Sequence, residues 1–351
     1  MAHKLGLSGY GGMAEWHHKS INESVEGLEV IAAFDIRQER LDLAEKNGLI
    51  PCKTLEELLS VPGIDMITVA VPNNFHAGYC IAAMKAGKNV VCEKPVTMNS
   101  AELEEVIAVS KETGKLFTVH QNRRWDGDFR IVKKSIEEGL VGKPYYIENR
   151  VQGSGGKLHG WRGSKENGGG MLYDWGVHLL DQVMWLVDSP VKEIYCQMKQ
   201  LKSEECDDNF KLYLEFENGV SAHVQVDTYC FIPLPRWQVQ GDEATLVVSD
   251  WECNGKIVRA KEEEGVVWTE NIVYTAAGPT RTMAPRRKET IQEDPLPKAK
   301  DKWSEYYRNV MAVLDEGAEL IVKPEQSLRV MKVIDAAFES SRTGHSVSGP
   351  F

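Results

Sequence analysis

The sequence predicts an α/β protein in two parts. Residues 1–122 predict a doubly wound parallel sheet covered by helices, and residues 123–351 predict an α+β domain with a largely antiparallel sheet. Two observations lead to this prediction. Up to about residue 122, short apolar runs alternate with amphipathic stretches, as in parallel strands joined by helices. Beyond that point, apolar and polar residues alternate on both sides of turn dipeptides, as in antiparallel hairpins.

The first part contains five apolar runs of strand length. In chain order they are "KLGL", "LEVIAAFD", "DMITVAV", "NVVCE" and "LFTVHQ". Amphipathic stretches between them predict helices, among them "RQERLDLAEKNG", "TLEELL", "FHAGYCIAAMKAGK" and "SAELEEVIAVSKETGK". Thr54 and Glu57 have the spacing of a capping box at the start of one helix.

The second part predicts fewer helices and more strands. The segment "KLYLEFENGVSAHVQVD" alternates around Asn218-Gly219, which predicts a two-residue hairpin, and Asn254-Gly255 marks a candidate second hairpin. Residues 278–302 carry four prolines among many charges and predict a long loop. Helices are expected near 128–138, 303–316 and 325–342.

Composition restricts the classes of partner. A chain of 351 residues with 42% hydrophobic residues can bury a large core. The net charge of -11 argues against a nucleic-acid or anionic-membrane surface, so small molecules and further copies of the chain are the expected partners. Seven cysteines occur singly, without a C-x-x-C pair, and the N-terminus does not resemble a signal peptide. We therefore expect a cytoplasmic homo-oligomer.

A glycine-rich turn follows the first strand. The segment "SGYGGMA" has the pattern G-x-G-x-x-A at Gly9, Gly11 and Ala14, with a strand before it and a helix after it. Such a turn brings a dinucleotide pyrophosphate to the helix N-terminus. Asp35 ends the second strand, where a carboxylate holds the ribose hydroxyls of NAD and repels the 2'-phosphate of NADP. Arg37 would weaken that preference, and the alternative for Asp35 is a cap on the next helix.

Residues 168–182, "GGGMLYDWGVHLLDQ", combine three glycines with a helix-like apolar pattern. On an α-helix, Asp174, His178 and Asp181 would share one face. Two alternatives are a surface ion pair and a metal site, and the second is disfavoured because no further ligands cluster nearby. No metal is therefore predicted. Lys94 follows an apolar strand in "CEKPV", at the strand end where open α/β sheets bind ligands.

Several segments together resemble the Gfo/Idh/MocA oxidoreductases, over nearly the whole chain. They are "GYGGMAEWH", "VPNNFH", "EKP", "NRRWDGDF", "GWRGSKENGGGMLYDWGVHLLD" and "SLRVMKVIDAAFESSRTG". The resemblance implies an NAD(P)-binding Rossmann domain over 1–122. It also implies a substrate-binding and oligomerisation domain over 123–351, whose open, mainly antiparallel sheet often forms an oligomer interface.

The resemblance also implies roles for individual residues. Lys94, Asp174 and His178 correspond to the catalytic residues, with the histidine as the base that takes the hydroxyl proton. A base near neutrality suits this step, and a lysine can stabilise charge on the substrate oxygen. Residues expected at the cofactor are Gly9, Tyr10, Gly11, Gly12, Met13, Asp35, Arg37, Pro72, Asn73, His76, Glu93, Lys94 and Arg123.

Further residues are expected around the substrate. Trp161 and Arg162 would border its pocket, with plain packing as the alternative for Trp161. Asp181 would contact a substrate hydroxyl or be a solvated carboxylate. The three glycines would begin a helix where larger side chains would obstruct the substrate and the nicotinamide, so Gly169→Val should impair turnover more than folding.

The expected function is oxidation of a secondary ring hydroxyl of a sugar, cyclitol or glycoside, with hydride passing to NAD. Oxidation at C3 of a glucoside is one specific version, because a C3 ketone acidifies the C2 proton. Two alternatives stay open at this point: an NAD-dependent glycosidase that uses transient oxidation, and a non-catalytic sensor that binds dinucleotide and a partner protein.

Overall fold

The computed structural model describes residues 2–261, 272–281, 286 and 288–351. Its first sheet is parallel, with the strand order β3-β2-β1-β4-β5-β6. The strands are β1 (His3–Ser8), β2 (Leu28–Phe34), β3 (Ile50–Cys52), β4 (Met66–Val69), β5 (Asn89–Cys92) and β6 (Phe117–Val119). This order reverses direction between β1 and β4, which is the point where doubly wound sheets bind ligands. The prediction of a doubly wound first part is confirmed.

Helices connect these strands at the predicted places. They are α1 (Gly12–Ser24), α2 (Gln38–Lys46), α3 (Leu55–Ser60), α4 (His76–Lys85) and α5 (Ser100–Thr113). The predicted N-cap of α3 is present, since Thr54 Oγ1 accepts a hydrogen bond from the N–H of Glu57 at 3.1 Å. The Glu57 carboxylate accepts from the N–H of Lys53 at 2.6 Å, one residue before the partner that a capping box requires.

The second sheet is mixed and mostly antiparallel. Within the described residues its order is β16-β13-β12-β11-β7-β10-β9-β8-β17, and only the β7–β10 pair is parallel there. The strands are β7 (Pro144–Gln152), β8 (Val191–Lys199), β9 (Asn209–Phe216), β10 (Ser221–Asp227), β11 (Trp237–Gly241), β12 (Ala244–Val248), β13 (Gly255–Ala260), β14 (Val273–Thr275), β15 (Gly278–Thr280), β16 (Ile291–Pro295) and β17 (Val347–Ser348). The separate pair β14–β15 forms a short hairpin.

Both predicted hairpins exist, but neither has a two-residue turn. The β9–β10 register leaves residues 217–219 as a three-residue turn, in which Gly219 has φ of 86°. Asn254-Gly255 is not a two-residue turn, because β12 ends at Val248 and Gly255 is already the first residue of β13. Residues 249–254 therefore form a longer connection that projects from the sheet.

The predicted long loop over 278–302 is wrong in part. Residues 278–280 are β15, and β16 at Ile291–Pro295 pairs with β13 as an added antiparallel strand. Prolines suggested a loop, but Pro295 ends an edge strand, where a missing N–H costs little. Pro285 lies outside the described residues.

The helices of the second part are α6 (Gly127–Glu137), α7 (Val177–Leu186), α8 (Ser304–Glu316) and α9 (Pro324–Thr343). The last two return toward the first sheet: α8 packs on α1, and α9 packs on both α5 and β8. Tyr307 of α8 contacts Thr68 of β4, with 3.2 Å between the two hydroxyl oxygens. The division of the chain into two domains at residue 122 stays a prediction. Between them, α8 and α9 contact both sheets.

Buried apolar residues of both sheets join in one hydrophobic cluster. None of the helices in the described ranges has the length and apolarity that a membrane crossing needs.

Candidate active site

The turn after β1 leaves open space above the first turn of α1. Gly9 has φ of 88°, and a Cβ there would lie 2.5 Å from the carbonyl oxygen of Ala70. A Cβ on Gly11 or Gly12 would meet no atom within 4 Å, and no side chain caps α1 at Gly11. The free N–H groups at this helix N-terminus thus face an open cradle that fits a dinucleotide pyrophosphate.

The Asp35 carboxylate lies beside this cradle at the end of β2. Its Oδ2 accepts the backbone N–H of Tyr10 at 2.9 Å, and its Oδ1 accepts the N–H of Arg37 at 3.0 Å. The Arg37 Nε is 3.5 Å from the same Oδ1. Arg37, not Asp35, is the N-cap of α2, and no side chain caps that helix. The position next to the turn therefore fits a ribose contact better than a helix cap.

Tyr10 and Met13 flank the turn in different ways. The Tyr10 ring is fully buried, its hydroxyl is 2.9 Å from His18 Nδ1, and it accepts a bond from Asn47 at 3.1 Å. Met13 is partly exposed on α1. The side chain of Tyr10 thus packs in the core, and only its backbone faces the turn.

The segment after β4 connects the cofactor cradle to the glycine stretch. The Asn73 amide donates to the carbonyl oxygen of Gly168 at 2.8 Å. The two ring nitrogens of His76 each lie 2.8 Å from a carbonyl oxygen, that of Pro95 and that of Val71. These side chains hold the segment that begins at Pro72, and a cofactor contact for it stays a prediction.

The structure brings Lys94 and Asp174 into direct contact. Lys94 Nζ donates to Asp174 Oδ1 at 2.9 Å and to the Asp174 carbonyl oxygen at 2.8 Å. Arg162 Nε donates to the other carboxylate oxygen at 3.2 Å. Burial favours the neutral acid, but Lys94 and Arg162 outweigh it and lower the pKa of Asp174 below its usual value. Asp174 is therefore an ionised carboxylate that orients two cations.

His178 lies at the start of α7, directly after a π-helical turn at Leu172–Gly176. Its Nδ1 donates to the Gln121 side-chain oxygen at 3.2 Å. An amide oxygen only accepts, so in the neutral ring the proton is on Nδ1 and Nε2 keeps a lone pair. Burial, with the charges of Lys94 and Arg123, holds the pKa of His178 well below 6.5. The π-turn changes the predicted α-helical spacing between Asp174 and His178.

The three glycines directly precede the helix, as expected, and the carbonyl oxygen of Gly170 accepts the N–H of Asp174 at 2.9 Å. The contacts around them give a different reason for glycine at these positions. A Cβ on Gly168 would meet Met98 and Asn73, one on Gly169 would overlap the backbone of Arg162, and one on Gly170 would overlap the Asp207 carboxylate. Gly170 also has φ of 109°. The glycines are thus required because other chain segments pack against them. Gly169→Val would displace the loop that carries Arg162, so it would impair folding as well as turnover.

A buried hydrogen-bond network lies beneath Lys94. Glu93 Oε1 accepts from His17 Nε2 and from His120 Nδ1, each at 2.7 Å, and Glu93 Oε2 accepts from the N–H of Lys94 at 3.1 Å. The His17 Nδ1 is 2.9 Å from the hydroxyl of Tyr307. Burial opposes the charged carboxylate, but His120 and His17 outweigh it and hold the pKa of Glu93 well below its usual value. Glu93 thus supports the backbone of Lys94.

The same three side chains have ligand atoms within 4.8 Å of one another, which is a spacing that a metal ion could use. Two ligands of a tetrahedral ion at about 2.0–2.1 Å would lie roughly 3.4 Å apart. The observed 2.7 Å between oxygen and nitrogen is shorter and matches a hydrogen bond. The geometry therefore favours a hydrogen-bond network over coordination.

Arg123 lies beside His178. Its guanidinium carbon is 4.2 Å from the ring centre of Trp175, and its Nη1 donates to Asp126 at 2.8 Å. The Trp175 ring centre is 6.2 Å from that of His178. Arg123 therefore lies near His178, and its contact with the nicotinamide and substrate stays a prediction.

Asp181 is not brought together with Asp174 and His178. Both of its carboxylate oxygens accept bonds from Arg124, at 2.6 and 2.7 Å, and the two side chains are 2% and 1% exposed. Arg124 also donates to Gln326 of α9 at 2.9 Å. Trp161 packs under the guanidinium of Arg162 at 4.5 Å, at the outer edge of the site.

Two family models match the chain. The model for the oxidoreductase family NAD-binding Rossmann fold matches residues 3–121, and the GFO/IDH/MocA C-terminal domain model matches residues 129–247. The protein belongs to the Gfo/Idh/MocA oxidoreductase family. It is thus an NAD(P)-dependent oxidoreductase, and its first domain binds the dinucleotide.

Individual Gfo/Idh/MocA relatives match over most of the chain. The scyllo-inositol 2-dehydrogenase (NADP(+)) of Bacillus subtilis is 28% identical, covering 98% of this chain and 95% of the relative. The myo-inositol 2-dehydrogenase of Thermotoga maritima is 28% identical over 62% of this chain and 66% of the relative. The crystal structure of an NAD-binding protein from Listeria innocua is 39% identical, covers 99% of both chains, and superimposes with a TM-score of 0.94.

Three side chains of this Gfo/Idh/MocA enzyme were not predicted for the site: Gln121 and Trp175 beside His178, and His17 beside Glu93. Gln121 lies two residues after the end of strand β6. Ligands bind at the carboxyl ends of such strands, so this position could have indicated a site residue. Trp175 lies within the glycine stretch, next to Asp174. The remaining one, His17, was hidden because its role depends on a partner 76 residues away.

Proposed function

We propose that the enzyme oxidises a secondary ring hydroxyl of a sugar, cyclitol or glycoside with NAD as acceptor, and that C3 of a glucoside is one candidate position. One observation carries the proposal. Lys94, which follows β5, bonds to Asp174 just before α7, and His178 lies at the start of α7, where burial and the charge of Lys94 lower its pKa. A charged hydrogen-bond donor and a neutral proton acceptor at one site suit alcohol oxidation. The names of two relatives, both inositol dehydrogenases, support a polyol ring as substrate.

In this proposal His178 is the general base. Gln121 holds its Nδ1–H, so the Nε2 lone pair is directed away from Gln121 and accepts the hydroxyl proton of the substrate. Because the ring is buried and its pKa is low, it stays neutral before the reaction. The turn after β1 would hold the dinucleotide, which would supply the hydride acceptor for the same carbon.

Lys94 would hold the substrate oxygen. A lysine ammonium has three N–H donors, and two of them go to Asp174. The third is then available to the hydroxyl oxygen, where it stabilises developing negative charge. Asp174 fixes the direction of that donor, and Glu93 fixes the backbone N–H of the same lysine.

The carboxylate of Asp35 should decide between NAD and NADP. In Asp35→Asn, the amide oxygen can still accept the N–H of Tyr10, while the bond from the N–H of Arg37 and the negative charge are both lost. Repulsion of a 2'-phosphate then disappears, and we expect the NAD-to-NADP ratio of kcat/KM to fall by about tenfold or more. The measurement is steady-state kinetics with both cofactors in parallel. Glu39→Ala, which removes an exposed neighbouring carboxylate near Arg37, should leave the ratio unchanged.

The pH dependence should follow the low pKa of His178. The neutral ring is the active form for oxidation, so activity is lost only when pH falls through the pKa in the folded enzyme. Because that pKa lies well below 6.5, kcat/KM should stay level through mildly acidic pH. The measurement is kcat/KM from about pH 5 to 9. A midpoint at or above 6.5 would contradict the assignment.

Asp126 provides the control for this profile. Burial raises its pKa to about 6, although Arg123 acts in the opposite direction, so this carboxyl titrates near the same range. If kcat/KM falls near pH 6 in the wild type but not in Asp126→Asn, the group that titrates is Asp126, which contacts Arg123. If the fall persists in the variant, another group titrates.

A substrate screen tests the proposed function. Purified protein is incubated with NAD or NADP and a panel of hexoses, inositols and glycosides, and the absorbance at 340 nm is followed. We expect a rise with NAD for at least one ring alcohol. Release of aglycone without net NADH would instead favour the glycosidase, and cellular function retained by His178→Ala would favour the sensor.

We also propose that the enzyme works in the cytoplasm as a homo-oligomer. All seven cysteines are free, which suits a reducing compartment. In β9, buried Leu212 and Leu214 alternate with exposed Lys211 and Tyr213, so one face of the second sheet is covered and the other is partly open. That open face is the proposed contact between copies, and analytical ultracentrifugation gives their number.

A further inference from the structure

The connection between β12 and β13 carries a tryptophan at the candidate active site. Trp251 lies in this connection, and its ring centre is 5.7 Å from that of Trp175. Trp175 in turn is 6.2 Å from the His178 ring. The strand register explains the location. Val248, at the end of β12, pairs with Trp237, which pairs with Asn149 near the carboxyl end of β7, where the loop carrying Arg162 begins.

One face of Trp251 is already covered. The guanidinium carbon of Arg236 lies 3.9 Å from its ring centre, and Arg236 is itself buried and bonded to Asp128 at 2.6 Å. Trp251 is nevertheless 48% exposed. Arg236 shields one face, and Trp175 and Arg123 lie 5.7 and 5.8 Å from the ring centre, so the exposed surface is the rest of the ring and its edges. Part of the aromatic surface is thus open to solvent beside Trp175.

Hydrogen bonds within residues 249–254 hold the connection that carries Trp251. The Asp250 carboxylate accepts the backbone N–H of Asn254 at 3.0 Å and its side-chain amide at 2.9 Å. Such an Asx-type turn reduces the conformational freedom of the intervening residues. The exposed ring therefore loses little entropy when a ligand packs on it.

The two arginines beside Trp175 and Trp251 each form an ion pair with an aspartate. Arg123 lies 4.2 Å from Trp175 and 5.8 Å from Trp251, and it pairs with Asp126, while Arg236 pairs with Asp128. Because both guanidinium groups already have carboxylate partners, this surface does not favour an anionic ligand. It offers aromatic surface to the apolar C–H face of an uncharged ring.

We propose that Trp251 is a specificity-determining residue that binds the second ring of a two-ring glycoside, beyond the ring oxidised at His178. Each of the two steps, from His178 to Trp175 and from Trp175 to Trp251, is an ordinary ring-to-ring distance of about 4.5–7 Å. A one-ring ligand at His178 therefore leaves Trp251 free, and a two-ring ligand reaches it. This inference rests on the proposed oxidation of ring alcohols and narrows its substrate class to glycosides.

The experiment compares one-ring and two-ring ligands. Methyl glucoside, 4-nitrophenyl glucoside and a glucose disaccharide are titrated calorimetrically into NAD-loaded wild-type enzyme, Trp251→Ala and Trp251→Phe, and KM and kcat are measured for each. In Trp251→Ala we expect Kd and KM for the two-ring ligands to rise about tenfold, which corresponds to a ring contact of about 1.4 kcal/mol. The values for methyl glucoside and all kcat values should change less than about twofold, and Trp251→Phe should restore most of the affinity.

Tyr145→Ala is the matched control. Tyr145 is an exposed aromatic residue at the other end of β7, near the Pro144–Gly241 pair, so its removal should not alter the ratio. The proposal is overturned if wild-type enzyme binds one-ring and two-ring ligands equally, or if Trp251→Ala weakens both by the same factor. Because the binding measurement needs no turnover, it decides the subsite even if no ligand is oxidised, a result that would count against the proposed function alone.

Discussion

Replacement of His178 by alanine is expected to lower kcat for ring-alcohol oxidation by about 10²–10⁴-fold. The variant removes the only group in the described site that combines a buried neutral ring, a held Nδ1–H and proximity to Lys94. Without a base, the hydroxyl proton has no acceptor as hydride leaves. Binding of NAD should change little, because the dinucleotide cradle lies on β1 and α1. The measurements are kcat with saturating substrate and the Kd for NAD.

Two further variants make this result specific. Gln121→Ala keeps the base but removes the oxygen that orients it, so a smaller loss is expected, in kcat more than in KM. Added imidazole should partly restore His178→Ala, since the deletion leaves a cavity of the right shape. Activity within tenfold of wild type in His178→Ala would assign the base to another residue.

Replacement of Asp181 by alanine is expected to lower the free energy of unfolding by about 3–5 kcal/mol. The Asp181–Arg124 pair is almost fully buried and is doubly hydrogen-bonded, so the deletion leaves a guanidinium without its counterion. Coulomb energy between two such buried groups is poorly screened by solvent. The measurement is urea unfolding followed by circular dichroism, together with KM on the folded enzyme.

A surface pair provides the matched control. Lys256 and Glu293 lie 2.6 Å apart between β13 and β16, and both side chains are about half exposed. Glu293→Ala should therefore cost no more than about 1 kcal/mol. For Asp181→Ala, a large rise in KM with unchanged stability would instead support the substrate contact that the sequence suggested. A double variant, Arg124→Met with Asp181→Leu, should recover part of the loss because no charge is left buried.

Local patterns were sufficient for most of the first domain. The alternation of strands and helices, the N-cap at Thr54 and the turn at Gly9 all depend on residues close in sequence. Short-range preferences of this kind are readable because the responsible atoms are neighbours in the chain. The β9–β10 hairpin at Gly219 was predictable for the same reason.

Longer connections were not predictable in this way. The strand β16 was expected to be loop, since its prolines and charges disfavour a strand and only the exposed edge of β13 makes one acceptable. The purpose of the three glycines was also misread, because the atoms that would collide with a side chain come from distant segments such as Asp207. An α-helical spacing was assumed where a π-turn precedes His178.

The sequence by itself determined the doubly wound sheet and the cofactor turn at Gly9, because these follow from hydrophobic period and from residues that act near their own place in the chain. Lys94, Asp174 and His178 became candidates through the family resemblance. Only the tertiary structure decided that Asp181 pairs with Arg124, that Gln121 holds His178, and that Trp251 lies beside Trp175. Each of those contacts joins residues far apart in sequence, so its existence depends on how sheets and helices pack, which no local pattern encodes.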